Sequence, residues 1–493
     1  MLVASVVPFA AEPPPQSPGG PAPGRFRDPM ALRRLLARIG LDRPELRAWS
    51  MYDWALSAMQ VGIMTAIFPI YFVKVAGAGL PENKPSEYLG YANSAALALS
   101  AILSPILGAV ADYRAAKKRF LLAFLLVGVL ATAGMWFVQS GDLGLAVTLF
   151  VISMIGASGS VVFYEALLPH IARPEEIDRV STAGYALGYI GGGILLTLNL
   201  AWIQKPELFG LPSGPGLSDA EATLPVRLAF LTVALWWGLF SIPLFRRVPE
   251  PPARLEPDER KGENPIRMAF VRLGETFHEL RGYRQAFLLL LAFLIYNDGI
   301  QTIIKMAAAY GTELGIGQGA LIAAILLVQF VGVPFAFLFG MLAGRIGAKR
   351  AIFVGLVVYT LISIVGYNMR TATHFFVLAI LVGTVQGGTQ ALSRSLFASM
   401  IPPHKSGEFF GFFSVFEKFA GILGPLFFAW AIALTGSSRV AILSVIAFFA
   451  VGAAILALVD VDAGRKAARE AETLVAPPVG LSANPTDTPA RRQ

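Results

Sequence analysis

The sequence predicts an all-α membrane protein with twelve transmembrane helices in two pseudo-symmetric bundles of six. Three observations lead to this prediction. The 493 residues are 55% hydrophobic and only 15% charged, whereas about 25% of the residues in a soluble protein are charged. The apolar residues form stretches of about 18 to 26 residues, long enough to cross a hydrocarbon core of about 30 Å as a helix. These stretches fall into two groups of six, and a loop motif of the first group recurs in the second.

The twelve stretches are separated mostly by short polar loops, and most contain few or no charged residues. The N-terminal bundle covers residues 49–245, and its stretches lie at 54–76, 88–111, 120–138, 143–168, 183–203 and 228–245. The C-terminal bundle covers residues 285–460, and its stretches lie at 286–309, 320–343, 351–369, 375–398, 409–434 and 440–459. Residues 246–284 between the bundles are charged and proline-containing, which predicts a cytoplasmic linker.

The two ends of the chain are predicted to lie outside the bundles. Residues 1–29 start apolar without a preceding basic residue and continue into a Pro/Gly tract, so we expect a disordered tail, or a translation start at Met30. Residues 30–48 place leucines on one helical face with arginines around it, which predicts an amphipathic helix on the cytoplasmic face, with a soluble capping helix as the alternative. Residues 461–493 are charged and then rich in Pro, Ala and Thr, and we expect a disordered cytoplasmic tail.

Basic residues indicate how the chain is oriented. The formal net charge is +8. Lys and Arg cluster before the first stretch, between the second and third, between the sixth and seventh, and after the eighth and twelfth, while the alternate loops are nearly bare of them. Because cytoplasmic loops retain Lys and Arg, both termini are predicted to be cytoplasmic. This distribution explains the charge without nucleic acid, and the Ala/Gly/Pro/Arg-rich composition favours a bacterial inner membrane.

The sequence carries no signature of a cofactor or of an enzyme. The absence of Cys excludes disulfides and thiolate chemistry, and the four His residues have no metal-ligand spacing. The chain has no G-x-x-x-x-G-K-[ST] motif, so ATP is not expected to drive it. No nucleophile, base and orienting group stand at a spacing suited to catalysis. We expect a monomer without metal or cofactor, whose partners are the lipid bilayer, a small-molecule substrate and a coupling ion.

An internal repeat relates the two halves. The loop after the second stretch reads GAVADYRAAKK from Gly108, and the loop after the eighth reads GMLAGRIGAKR from Gly340. Both resemble the loop signature of the major facilitator superfamily, G-x-x-x-D-R-x-G-x-K/R-K/R. The second copy has Gly344 where the signature has its acid. The resemblance implies an inner gate, in which these residues latch a helix end to a neighbour: Gly108, Asp112, Arg114, Gly340, Arg345 and Lys349.

Further segments resemble one family of major facilitators, the vacuole effluxers, which are relatives of the autophagy-linked vacuolar amino-acid exporters. The matching segments are WSMYDWA at 49–55, FYEALLP at 163–169, GYALGYIGG at 184–192, YNDG at 296–299, QGGTQALSRS at 386–395, and Lys418 with Gly424-Pro425. The chain departs from this family at Leu56, where the family has Asn, and at Glu165, where it has an amide. The resemblance implies a transporter of small solutes, with amino-acid export as the best-known case. It also implies that helices one, four, seven and ten line the cavity.

Polar side chains within the first and fourth stretches are candidates for the substrate and proton pathway. Each charge in the membrane costs about 2.5–3.5 kcal/mol on insertion scales and so needs a partner, water or a function. In the first stretch one helical face carries Asp53, Ser57 and Gln60, where Asp53 is alternatively a helix-start acid. The fourth stretch ends with Tyr164 and Glu165, where the alternative is an interfacial acid that reaches water.

The second bundle contributes candidates from three stretches. Each set also has a structural alternative, namely pairing with other spans for the charges and helix–helix hydrogen bonding for the amides. The residues are Asn297, Asp298, Gln301 and Lys305 in the seventh stretch, Gln386, Gln390 and Arg394 in the tenth, and Glu417 and Lys418 in the eleventh. The glycines at 184, 188 and 192 in the fifth stretch indicate close helix packing instead.

These features together favour a secondary active transporter that moves a small polar organic solute by alternating access of its two bundles. A buried acid can load a proton on one side and release it on the other when an arginine or lysine approaches. We therefore expect proton coupling, with sodium as the alternative ion. The candidate acids are Asp53, Glu165, Asp298 and Glu417, with Arg394 or Lys305 as the switching partner. A membrane receptor or scaffold with a transporter fold, which binds a ligand without accumulating it, is the alternative from a different class.

Overall fold

The computed structural model describes residues 29–81, 84–252, 282–313, 316, 318–420, 423–435 and 438–474. Regular secondary structure in these residues is helical, without a strand. Helices are favoured in lipid because each satisfies its own backbone hydrogen bonds. They are α1 (Pro29–Arg38), α2 (Pro44–Met59), α3 (Phe68–Tyr71), α4 (Lys84–Arg114), α5 (Lys117–Gly134), α6 (Leu143–Ile171), α7 (Ile177–Gln204), α8 (Asp219–Ala222), α9 (Leu224–Arg247), α10 (Arg284–Glu313), α11 (Gln318–Ile346), α12 (Ala348–Tyr367), α13 (Ala372–Ala398), α14 (Ser406–Phe419), α15 (Leu423–Thr435), α16 (Ser438–Ala457) and α17 (Val461–Leu474).

Within the described residues, 11 helical stretches are long and apolar enough to cross a membrane. The first runs over Pro44–Ala76, through α2, a π-helical segment at Gln60–Ala66, and α3. The predicted eleventh crossing, 409–434, is divided between α14 and α15, and the backbone at Ala420 is extended, with ψ of 133°. Both halves are too short to count as a span by themselves. Together they supply the remaining crossing, so the structure is consistent with twelve transmembrane helices.

The helices pack as two bundles that meet along two seams. One seam joins α4 of the first bundle to α14 of the second, and the other joins α7 to α11 and α13. Glycines allow both close approaches: a Cβ on Gly108 would lie 2.2 Å from the carbonyl oxygen of Gly407, and one on Gly340 would lie 2.2 Å from Oγ1 of Thr182. Two residues of the predicted inner gate are thus positions where the halves touch.

The bundles are joined near the face at which the Lys- and Arg-rich loops lie, which we term the basic-loop face. There the Ser406 hydroxyl of α14 donates to the carbonyl of Ala166 in α6, at 2.9 Å. The Ser395 hydroxyl of α13 donates to Oδ1 of Asp178 in α7, at 2.5 Å. These residues lie close to the ends of their helices, so the two halves close against each other on this face.

The internal repeat is visible in backbone geometry as well as in sequence. Ala115 and Gly347 occupy equivalent places in the two loop motifs, and both have positive φ, of 50° and 87°. After each turn a lysine binds the end of another helix in its own bundle. Lys118 donates to the carbonyls of Phe245 and Val248, and Lys349 donates to those of Ala457 and Val459. Lysines at helix ends satisfy free carbonyls and complement the helix dipole.

The equivalent turns at Ala115 and Gly347 predict that exchanging glycine and alanine has opposite effects on stability at the two positions. Left-handed backbone at Ala115 costs an L-residue roughly 1 kcal/mol, part of which is regained through the smaller entropy of its unfolded state. Gly347 combines φ of 87° with ψ of 150°, a region that is almost exclusive to glycine and costs other residues more. We expect Ala115→Gly to stabilise the protein by about 0.5 kcal/mol, and Gly347→Ala to destabilise it by about 1–3 kcal/mol. A Cβ on Gly347 would meet no atom within 4 Å, so backbone conformation alone sets the effect. Thermal unfolding of both variants in detergent tests this; a fall for Ala115→Gly or no change for Gly347→Ala would contradict it.

The structure corrects two predictions about the ends of the chain. The amphipathic helix predicted over residues 30–48 is two elements, because Gly40, with φ of 75°, separates α1 from α2. Disorder from residue 461 is wrong for the first 14 residues, which form α17 with Gly464 and Ala468 buried. Its Glu472 binds Nδ1 of His404 at 2.8 Å. Residues 1–28 and 475–493 of the two predicted tails, and most of the linker, lie outside the described residues.

Candidate functional site

Arg394 on α13 connects the two bundles through ion pairs. Its side chain lies four residues before the end of the helix and is only 3% exposed. Nη2 lies 3.3 Å from Oδ2 of Asp53 on α2, and Nη1 lies 3.7 Å from Oε1 of Glu165 on α6. One guanidinium of the second bundle therefore serves two carboxyl groups of the first.

Ser181 on α7 fixes the position of the guanidinium. Nε of Arg394 donates to the Ser181 hydroxyl and Nη2 donates to its carbonyl, each at 2.9 Å. The same hydroxyl donates to the carbonyl of Ala391, one turn before the arginine, at 2.7 Å. Hydrogen bonds to charged groups are among the stronger ones in proteins, so this serine ties α7 firmly to α13.

Three aromatic rings of the first bundle surround the guanidinium. The Cζ atom of Arg394 lies 5.0 Å from the ring centroid of Trp49, 5.7 Å from that of Tyr164 and 4.6 Å from that of Tyr185. All three distances are within the range of cation–π attraction. We term the residues that surround Arg394 the arginine cage: Trp49, Asp53, Tyr164, Glu165, Ser181 and Tyr185.

The two carboxyl groups of the cage differ in their hydrogen bonds. Oδ2 of Asp53 also accepts a hydrogen bond from the Tyr164 hydroxyl at 2.8 Å. Glu165 is 4% exposed, and its Oε2 atom has no hydrogen-bond partner among the described residues. Glu417 and Lys418 of α14 are near enough to act on Glu165 electrostatically, with opposite signs. The cage and these two neighbours thus hold three carboxyl groups and, with Arg394, two cations.

Gly184 on α7 leaves the space that the cage needs. A Cβ at this position would lie 2.3 Å from Oδ2 of Asp53 and 3.2 Å from both Nη2 of Arg394 and the Trp49 ring. A neighbouring glycine, Gly188, approaches the Ser57 hydroxyl in the same way, at 2.5 Å. The close packing indicated by the glycine spacing is therefore present, and at Gly184 it is packing against the ion pair itself.

Asp298 lies outside the arginine cage, at the interruption of the eleventh crossing. It is 1% exposed, and its Oδ2 atom accepts a hydrogen bond from the backbone N–H of Gly424 at 2.7 Å. Gly424 is in the first turn of α15, where an acid satisfies a free N–H and complements the helix dipole. Asn297 beside it is buried, and its Oδ1 has no partner among the described residues. The structural alternative for Asp298 was pairing with another span. The hydrogen bond from Gly424 of α15 is such a pairing.

The four glutamine candidates are not among the described residues that form the arginine cage. Gln60 is exposed and begins the π-helical segment of the first crossing, a distortion that is common at functional sites. The other three are partly buried: Gln301, Gln386 and Gln390. The Lys305 side chain lies outside the described residues.

Of the remaining gate candidates, one contacts the other bundle and two are exposed. Asp112 forms an ion pair with Lys117, and its Oδ2 accepts a hydrogen bond from the backbone N–H of Glu408 in α14 at 2.9 Å. It therefore binds the start of a helix from the other bundle. Arg114 and Arg345 are exposed at their helix ends.

Three cage residues were absent from the sequence candidates: Trp49, Ser181 and Tyr185. Trp49 stands four residues before Asp53, and Tyr185 stands four residues after Ser181, so each pair shares a helical face. That spacing is the signal in the sequence that could have identified them. Their contact with Arg394 depends on packing between bundles, which spacing does not reveal.

Comparison with known proteins identifies the family. A family model described as "Vacuole effluxer Atg22 like" matches residues 83–469. The chain belongs to this family. This vacuole effluxer-like protein is also 39% identical over 413 residues to "Uncharacterized MFS-type transporter YxiO" of Bacillus subtilis (strain 168), a match that covers 84% of this chain and 94% of the relative. The resemblance inferred from the sequence motifs is thereby confirmed.

More distant matches extend to fungi and to solved structures. "Autophagy-related protein 22" of Yarrowia lipolytica (strain CLIB 122 / E 150) is 26% identical over 322 residues, which are 60% of this chain and 52% of that relative. This effluxer-like chain thus matches about half the length of the fungal protein. A crystal structure of the major facilitator superfamily transporter FucP in the outward conformation aligns with a TM-score of 0.64 at 13% identity, and covers 85% of this chain and 100% of FucP. The protein is therefore an integral membrane protein with the major facilitator fold.

Proposed function

We propose that this vacuole effluxer-like protein is a proton-coupled secondary transporter of a small polar organic solute, such as an amino acid, in a bacterial inner membrane with both termini cytoplasmic. Transport runs by alternating access, in which the two bundles rock about a site near the midplane. The observation that carries the proposal is the ion pairing of Arg394, from one bundle, with Asp53 and Glu165 of the other. Family membership supports the solute class, because amino-acid export is the best-known activity among the relatives that the sequence resembles.

The position of these ion pairs supports a gate. They lie near the basic-loop face, together with the Asp112–Glu408 contact and the hydrogen bonds of Ser395 and Ser406. A solute cannot pass this side while the contacts persist. For the cavity to open there, Arg394 must leave both carboxyl groups, so opening of the gate and loss of the ion pairs are the same event.

The charges at the gate support proton coupling. Arg394 is a single positive charge between two carboxyl groups, and Glu417 and Lys418 offset each other. With both cage carboxyl groups ionised, the described side chains of the cluster therefore carry one excess negative charge. An uncompensated buried charge is costly, so one proton on the pair balances the closed state. When Arg394 withdraws, the carboxyl groups bind or release protons according to the side that they face, which links the proton to the conformational change.

Flux into proteoliposomes tests the proposal. Purified protein is first screened by thermal shift against amino acids, short peptides and nucleosides at several pH values, and a stabilising compound is then used as the radiolabelled solute. We expect accumulation that requires an imposed pH gradient and that collapses when a protonophore is added. Accumulation driven by a sodium gradient alone would overturn the proton as coupling ion. Specific binding without any flux or exchange would favour a receptor or scaffold.

A further inference from the structure

The arginine cage is built entirely by the first bundle, and its internal bonds do not involve Arg394. The indole N–H of Trp49 donates to the carbonyl of Tyr164 at 2.9 Å, and the two rings stack with centroids 4.4 Å apart. The Tyr164 hydroxyl donates to Asp53 at 2.8 Å. The bundle therefore carries a preformed pocket of ring faces and carboxyl groups, and Arg394 enters it from the other bundle.

Separation of the bundles on the basic-loop face empties this pocket. Arg394 moves with α13, whereas the six cage residues move with α2, α6 and α7. Two carboxyl groups and three ring faces then face the opened cavity. Protons can neutralise the carboxyl groups, but they do not fill the space between the rings or use the attraction of the ring faces for a cation. An organic cation fills this space and is attracted to the ring faces.

We propose that the emptied arginine cage binds the guanidinium or ammonium group of a cationic solute, in the place that Arg394 occupies in the closed state. The inference rests on the alternating access proposed above, and it narrows the transported solutes to small organic cations. The Oε2 atom of the buried Glu165, which has no hydrogen-bond partner among the described residues, provides a further acceptor for such a ligand. Because the solute and Arg394 compete for one pocket, bound solute holds the gate open towards the basic-loop face.

Chemical rescue of Arg394→Ala tests the binding site directly. The variant lacks the internal guanidinium, and methylguanidinium is the probe, with methylurea as its neutral control of similar shape. For full-length Arg394→Ala in detergent we expect methylguanidinium to raise the unfolding temperature by several degrees, saturably, with half-maximal effect at roughly millimolar concentration. Wild-type protein in the closed state should shift much less, because Arg394 fills the pocket. An equal shift with methylurea would overturn the proposal.

Second-site variants show whether the cage is the place of binding. Asp53→Asn or Glu165→Gln, each added to Arg394→Ala, should weaken the methylguanidinium effect at least tenfold, and Trp49→Leu should weaken it several-fold. Lys466→Gln on α17, whose side chain is 78% exposed, is the matched control and should leave it unchanged. Retention of the full effect in both carboxyl variants would overturn the assignment of the site.

Single-cysteine labelling provides a test that keeps Arg394 in place. The chain has no native Cys, so Ser406→Cys adds one thiol at a fully buried gate position. We expect agmatine to increase the rate of maleimide labelling at this thiol at least twofold, and N-butylurea to have no effect. No increase, or an equal increase with both compounds, would overturn the proposal even if Arg394→Ala did not fold. Binding without flux in proteoliposomes would instead refute the proposed transport function and leave the cation site intact.

Discussion

Replacing Glu165 with Gln is expected to uncouple solute movement from the proton gradient. The amide is close in size to the carboxyl group, so the packing around Arg394 is kept, but it cannot bind and release a proton. We expect gradient-driven accumulation in proteoliposomes to fall at least tenfold, while exchange of solute across a membrane without a gradient persists. The loss corresponds to at least about 1.4 kcal/mol of coupling free energy. Parallel measurements of accumulation and exchange provide the readout.

A control variant and the comparison of accumulation with exchange distinguish loss of proton coupling from damage to the gate. Lys466→Gln changes one exposed charge on α17 and should leave both measurements unaltered. Loss of accumulation and exchange together in Glu165→Gln would assign the residue to gate packing, and an unchanged response to the pH gradient would remove it from proton coupling.

Gly184→Ala is expected to have the second large effect, namely disruption of the arginine cage by a single methyl group. The added Cβ would meet Oδ2 of Asp53 at 2.3 Å, and both Arg394 and Trp49 at 3.2 Å, so the carboxyl group must move away from its partners. Overpacking of this kind costs about 1–3 kcal/mol, and here it also separates a buried ion pair. We expect a lower unfolding temperature and at least tenfold slower transport.

Gly238→Ala on α9 is the control for the glycine exchange. A Cβ there would find its nearest atom, Cγ1 of Val129, at 3.8 Å, which is ordinary contact. Since alanine favours a helix over glycine by roughly 1 kcal/mol, this variant should be neutral or slightly stabilised, with normal transport. Normal transport by Gly184→Ala would show that the cage tolerates displacement of Asp53, and would contradict the proposed gate.

Most of the fold could be predicted from the sequence because lipid restricts the possibilities. An apolar stretch such as 143–168 must form a helix to satisfy its backbone, and its length sets a single crossing. The apolar pattern did not predict the interruption at Ala420, because a hydropathy value averaged over residues 409–434 does not resolve a single break in the helix. Its local signal is Pro425 close to Gly421 and Gly424, since the ring of proline disfavours helical backbone before it.

The candidate site could be predicted only in part. Asp53, Glu165 and Arg394 were selected individually, because a charge within an apolar stretch needs a reason to be there. Their assembly was not predictable, since Arg394 and Asp53 are separated by 341 positions and periodicity along one helix does not relate two bundles. Asp298 is likewise a charge within an apolar stretch, yet in the structure it accepts a hydrogen bond from the start of α15. Burial of a charge therefore indicates that a partner exists without distinguishing a structural partner from a functional one.

The interrupted eleventh crossing consists of two segments with different packing partners. Its first half, α14, packs against α4 and α6 of the opposite bundle and against α10 of its own, whereas its second half, α15, packs against α16 and α10 of its own bundle. A continuous helix would transmit any tilt of one end to the other, but an extended residue at Ala420 acts as a joint. We therefore expect α14 to tilt separately from α15 when the bundles part, while the hydrogen bond from the Gly424 N–H to Asp298 holds the start of α15 in place.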